Sequence, residues 1–211
     1  MKNNLTAFVV LITFLSGCAF GTSQLKVVYP DDLQMIPETQ KDKTNSSENK
    51  IEIEPGVTIS AKWIGNGYSQ PTAKSIFGLT NRYVIPYTRL TSLIDLKIDN
   101  NSDKYIDLSI KNIKLKVSQN NDELLPLDID FFKSRWPTFA VKSQEMLIDQ
   151  SVAIGDIIRT IARDKIIEPK SNYHGYLAFK KLNPSTESIQ LMGLIKVDNK
   201  EDNIVLKFKK K

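Results

Sequence analysis

Apolar and charged residues alternate without a break over Ile94-Asp95-Leu96-Lys97-Ile98-Asp99, and no other pattern in the chain restricts the fold as much. Successive side chains of a β-strand point to opposite faces, so this run buries Ile94, Leu96 and Ile98 and leaves the charged residues in water. A helix would scatter the same residues around its surface. The run ends in Asn100-Asn101-Ser102-Asp103, residue types that bond their own backbone and favour tight turns. Alternation resumes at Ile106, Leu108 and Ile110, then changes phase to Ile113, Leu115 and Val117. A regular strand cannot change faces, so Lys111-Asn112 predicts a bulge or a crossing between two sheets.

Further strands flank this region. Ile51, Ile53, Val57, Ile59, Ala61 and Trp63 read as a strand pair broken at Glu54-Pro55-Gly56, and Gly65 to Thr80 as a long loop. Gly175 to Phe179, Ile189 to Val197 and Ile204 to Phe208 are strands separated by turns at Asn183-Pro184 and Asp198 to Asn203. Between the two groups the period changes. Met146, Leu147, Ile154, Ile157, Ile158, Ile161 and Ala162 recur at helical spacing. They predict one amphipathic helix over about 142–165, interrupted near Gly155 and ended by Glu168-Pro169. Asp128 and Asp130 fall on one face of a possible strand just upstream. The fold expected is mainly β, an antiparallel sandwich with one inserted helix. Ser92 to Lys116 and Pro169 to Phe179, with Gly175-Tyr176-Leu177-Ala178-Phe179, resemble parts of the telokin-like, immunoglobulin-type domains of bacterial lipoproteins. That resemblance implies an immunoglobulin-like sandwich, from which the helix departs.

The amino terminus obeys different rules. Lys2 precedes an apolar run from Leu5 to Leu15, followed by the small residues Ser16 and Gly17, which is the make-up of a secretory signal peptide. The run is shorter than the roughly 20 residues that a permanent membrane-spanning helix needs. Leu15-Ser16-Gly17-Cys18, holding the only cysteine of the chain, resembles the lipobox of bacterial lipoproteins. The resemblance implies cleavage before Cys18, a diacylglyceryl group on its sulfur and an acyl group on the new amine. Two or more chains hold a protein stably at a membrane. Ala19 replaces the aspartate that marks inner-membrane retention in enteric-type bacteria, so in a Gram-negative cell the family's default is the periplasmic side of the outer membrane. The expected organisation is a signal peptide over 1–17, a polar lipid-anchored tether over 18–50 and a sandwich domain over 51–211. With Cys18 acylated no disulfide can form, and the core must hold the fold alone.

Chemistry-bearing motifs are sparse. His174 is the only histidine, no Gly-x-Ser-x-Gly elbow is present, and the only thiol is the lipid site, so an enzyme is not expected. One histidine with scattered carboxylates is a poor zinc set, and no glycine-rich phosphate loop occurs, so no cofactor is assigned. Asp99 to Asp103 begins like a calcium loop, but Lys104 replaces the required glycine and Ile110 the closing glutamate. Asp128 and Asp130 can form an acid pair or face solvent. The net charge of +5 is spread thinly and gathers only at Lys207-Phe208-Lys209-Lys210-Lys211. Nucleic acid is not an expected partner of an exported protein, whereas a basic tail can touch anionic headgroups. Phe131, Phe132, Trp136 and Phe139 cluster before the helix and either plug the seam between helix and sheet or line a ligand pocket. The leading expectation is a non-enzymatic envelope module that binds another protein or stabilises an assembly. The alternative is a ligand-binding lipoprotein with an apolar pocket at that cluster.

Overall fold

The computed structural model describes residues 33–38, 48–65, 72–76, 80–84, 87, 91–135 and 144–211. In chain order they form β1 (Met35–Pro37), β2 (Glu48–Glu54), β3 (Val57–Gly65), β4 (Thr72–Ile76), β5 (Thr80–Val84), β6 (Thr91–Asn100), β7 (Ile106–Leu108) and β8 (Lys114–Val117). There follow β9 (Glu123–Leu124), α1 (Ile129–Arg135), α2 (Gln144–Thr160), β10 (Lys165–Ile167), β11 (Ser171–Lys180), β12 (Ser188–Val197) and β13 (Lys200–Lys210). One antiparallel sheet has the order β11-β6-β3-β2. The other has the order β1-β13-β12-β7-β10, with β8 also against β12 and β9 against β8. Strands β4 and β5, most of which belong to a separate compact unit, pair as a two-stranded sheet.

The two larger sheets share one apolar core. Ile59, Ile94, Leu96 and Ile98 come from the first; Ile106, Leu108, Leu115, Ile189, Ile195, Leu206 and Phe208 come from the second. All are inward positions of alternating strands and all are buried. The alternation at Ile94 to Asp99 is realised as read, with Ile98 opposite Ile59 and Tyr173. The fold is an antiparallel β-sandwich with a helical insertion.

The phase change between Ile110 and Ile113 is a bulge within one sheet. Strands β7 and β8 both lie against β12, and a 3-10 turn, Ile110–Asn112, separates them. The chain spends six residues from Leu108 to Lys114 where β12 spends three, from Ile195 to Met192. An odd excess reverses which parity faces inward, so Ile106, Leu108, Ile113 and Leu115 are all buried. Gly193 stands beside the turn, where a β-carbon would lie 3.3 Å from Ile113 Cγ1.

Four sequence expectations change, the first being Gly65 to Thr80, read as a loop, which carries β4 and the first residue of β5. The insertion has two described helices, α1 and α2, in place of one over 142–165. Helix α2 runs through Gly155, because packing of Ile154 and Ile157 offsets the roughly 1 kcal/mol that a helical glycine costs. It stops at Thr160, well before Glu168-Pro169, because the Ala162 amide donates to the Tyr176 carbonyl at 2.9 Å and draws the chain along β11. Lys165–Ile167 is then free to pair with β7 as β10. Asp128 and Asp130 do not share a strand face: Asp128 Oδ1 accepts the Phe131 amide at 2.9 Å at the start of α1, where Asp130 lies in the first turn. Finally, strand structure begins upstream of Ile51. Met35–Pro37 pairs with β13, and β2 starts at Glu48. The Trp63 indole donates to the buried Leu33 carbonyl at 3.0 Å, and the Asn49 side-chain amide donates to the Lys207 carbonyl at 2.7 Å.

The helices cover one end of the outer face of the four-stranded sheet. Phe132 and Ile157 pack with Tyr87 on Leu93 and Ala178, forming a second, smaller core. The insertion also closes the β11 edge, since the Leu127 amide donates to the Ala178 carbonyl at 2.7 Å. Further along the same face, Asp95, Lys97 and Asp99 are in register with Tyr176, His174 and Asn172, and this part is polar.

Candidate binding surface

An open groove of about 320 Å³ lies where α1 meets the chain leaving α2. Ile129, Ile158, Ile161 and Ala162 form its apolar lining, and Asp128, Lys133 and Arg163 supply charge of both signs. Ile158 is 42% exposed although it sits between the buried Ile157 and the Tyr87-bonded Thr160. Arg163 is held by its backbone. Its amide donates to the Tyr173 hydroxyl at 2.8 Å, and that hydroxyl donates to the Arg163 carbonyl at 3.1 Å. Burial pushes the Tyr173 phenol upward, so it stays a neutral donor and acceptor at physiological pH. The groove is therefore a fixed apolar trough with a mixed-charge rim.

Of the aromatic cluster, Phe131 and Phe132 are described, while Trp136 and Phe139 lie outside the described residues. Phe132 is 1% exposed and meets Tyr87 edge-on at 5.4 Å and Phe131 at 5.3 Å. Tyr87 in turn meets Tyr176 at 5.9 Å. The Tyr87 hydroxyl donates to Thr160 Oγ1 at 2.8 Å, because Thr160 donates its own proton to the Asp156 carbonyl. Burial raises the Tyr87 phenol far above its ordinary value. Phe132 and Tyr87 thus pack in the seam between helix and sheet.

His174 Nε2 lies 2.6 Å from Asp95 Oδ1 on the polar part of the outer face, with its ring edge-on to Tyr176 at 5.5 Å. The arrangement orients an imidazole beside Lys97, its partner in register. The turn after β6 is an Asx turn. Asn100 Oδ1 accepts the Ser102 amide and hydroxyl, and Asn100 Nδ2 donates to the carbonyls of Lys104 and Glu168 at 2.8 and 2.9 Å. Both ends of the Asn100 amide are committed to protein groups, which leaves it no oxygen to offer a cation.

Cys18 lies outside the described residues, and among those described no helix is long and apolar enough to cross a membrane. The groove residues Ile129, Lys133, Ile158 and Arg163 were not read as a binding site from the sequence, where Ile158 stands only in the apolar stripe of the helix. The available signal was the excess width of the apolar stripe on α2, where Ile154, Ile157, Ile158 and Ile161 cover more surface than one sheet contact needs. Comparison with known proteins gives no matching family model, no matching curated protein and no matching solved structure.

Proposed function

We propose that this protein is an envelope lipoprotein, anchored to a membrane through acylated Cys18, that works as a non-enzymatic protein-binding module and presents its helical insertion to a partner. The supporting observation is a contrast in packing. Among the described residues, the void beside Ile59, Leu96 and Ile113 in the sandwich interior is only about 10 Å³, whereas the trough at Ile129, Ile158 and Ile161 is open to solvent. Its volume is at the lower bound of small-molecule sites, roughly 300–1,000 Å³, and those sites enclose most of their ligand. An open apolar trough with Lys133, Arg163 and Asp128 on its rim suits side chains presented by another protein's surface. In the alternative, a pocket lined by Phe131, Phe132, Trp136 and Phe139, Phe132 is buried, and Trp136 and Phe139 lie outside the described residues.

The test is cross-linking in intact cells followed by purification from membranes. A specific cross-linked partner is expected, and it should be lost with Ile158→Asp while the unfolding midpoint of that variant is unchanged. Recovery of the protein alone would sink the reading. The anchor has its own test: Cys18→Ser should abolish fatty-acid labelling and leave the precursor uncleaved. Labelling or cleavage that persisted in the variant would overturn it.

A further inference from the structure

We infer that the outer face of the sheet carrying β13 is a docking face for an anionic phospholipid surface, and that it sets the orientation of the domain on the membrane. The inference rests on the lipoprotein reading for the identity of that membrane. Buried Leu206 and Phe208 point inward, so Lys207 and Lys209 project outward between them. The register carries this charge across the sheet. Lys207 is opposite Gln190, which is opposite Lys116; Val205 is opposite Met192, which is opposite Lys114. The result is a flat grid of lysines around partly exposed apolar side chains, and Val205 itself is 40% exposed. Glu123 takes Lys114 at 2.8 Å and, opposite Lys116 in the sheet, is attracted by it as well, whereas no ion pair joins Lys207 or Lys209 to another described residue. Glu38 and Glu187 stand at the border, and further along the strands Lys196 lies 3.9 Å from Glu201. The uncompensated charge therefore collects at the carboxy-terminal end of β13.

The path of the chain supplies a second, independent reason. Strand β1 runs antiparallel to β13, so its amino-terminal end lies beside the lysines: Met35 is in register with Lys210, and the Lys211 amide donates to the Gln34 carbonyl at 3.0 Å. The described part of the chain begins beside this point, at Leu33. About 15 residues separate Cys18 from Leu33, and at about 3.3–3.6 Å per residue they reach at most about 50 Å. An acylated Cys18 therefore keeps this face within about 50 Å of the headgroups, which raises its effective concentration there.

The experiment uses the full chain carrying Cys18→Ser, so that acylation plays no part, and measures co-sedimentation with vesicles. One set is phosphatidylcholine alone; the other includes phosphatidylglycerol. Binding should be stronger to the anionic vesicles and should weaken as salt rises. Each lysine near an anionic surface contributes about five-fold in affinity, so Lys207→Glu with Lys209→Glu should lower binding by at least about 25-fold. A control pair on the outer face of the other sheet, Lys50→Glu with Lys62→Glu, has the same net charge and should bind nearly as the parent. Equal binding to both vesicle types would overturn the inference, as would equal losses from the two pairs, which would indicate net charge alone. The uncleaved leader, which carries Lys2, is common to all variants, so the comparison of the two lysine pairs on anionic vesicles is the deciding one. Because fatty-acid labelling at Cys18 is read separately, failure of the lysine face leaves the anchor standing, and failure of the anchor leaves the vesicle result interpretable.

Discussion

Gly175 lies so close to Ala162 that a β-carbon on it would stand 2.9 Å from the Ala162 Cα and 3.0 Å from the Tyr173 hydroxyl. This approach lets the chain leaving α2 run alongside β11, where Ile161 bridges to Tyr176 and the Ala162 amide donates to the Tyr176 carbonyl. An edge strand is a liability for pairing with other chains, and here the insertion occupies that edge. Gly175→Ala must displace backbone, and should destabilise the protein by about 1–3 kcal/mol. A lower urea midpoint with an unchanged slope is the expected result. The variant should also aggregate sooner, as followed by light scattering, because the freed β11 edge offers unpaired backbone groups.

Trp63 tests whether the segment before β2 belongs to the folded unit. Its indole reaches across to the buried Leu33 carbonyl, a bond between residues 30 positions apart. Trp63→Phe keeps most of the apolar volume and removes the donor, leaving that carbonyl unsatisfied at a cost of about 1–3 kcal/mol. Denaturant unfolding should show that loss, and amide exchange should show weakened protection in β1 ahead of β12 or β6. A stability equal to that of the parent would separate Leu33 from the fold.

Asn100 joins two connections that are distant in sequence, through its bonds to the Lys104 and Glu168 carbonyls. Asn100→Ala should cost about 2 kcal/mol. Asn100→Asp should cost more, because a carboxylate cannot donate to two carbonyl oxygens and would face them with like charge. Adding millimolar calcium to the parent should leave its melting temperature unchanged. A rise that scaled with the logarithm of calcium concentration would assign a cation site to this turn instead.

The sandwich was legible because its strands alternate, and one-sided burial enforces that alternation: Ile94 to Asp99 and Ile204 to Phe208 each show one buried and one exposed face. The change of phase at Lys111-Asn112 was legible as an irregularity, but not which kind. That choice depends on β12, whose Gly193 makes room for Ile113 in the same sheet. The division of the insertion was hidden because α1 is seven residues long, and Leu127-Asp128-Ile129-Asp130 alternates like a strand until Asp128 caps the helix. The groove was not legible at all. Local spacing marks Ile158 as a member of the apolar stripe, but its exposure follows from how α1 and Arg163 are arranged around it. Met35–Pro37 escaped for the same reason: three residues are too few for a period, and only β13 makes them a strand.

Glu54 connects the two sheets by charge, and this contribution should depend on pH. It lies on β2 and contacts Lys104 in the turn after β6 and, at 3.3 Å, Lys200 at the start of β13. The Lys104 contact chiefly, with Lys200 adding, holds the Glu54 carboxyl below the usual glutamate range despite partial desolvation. A carboxyl whose value is lower in the folded state binds fewer protons there than in the unfolded chain. Its stabilisation is then fully present above the unfolded value, about 4.3, and is lost as pH falls through the folded value. Glu54→Gln removes the titration and most of the attraction. The parent should therefore be more stable than Glu54→Gln at neutral pH, and the two urea midpoints should converge below about pH 4. The pair is surface-accessible, so raising salt should narrow the gap at neutral pH. A gap that persisted unchanged into acid would mean that Glu54 acts through packing or its bond to the turn and not through charge.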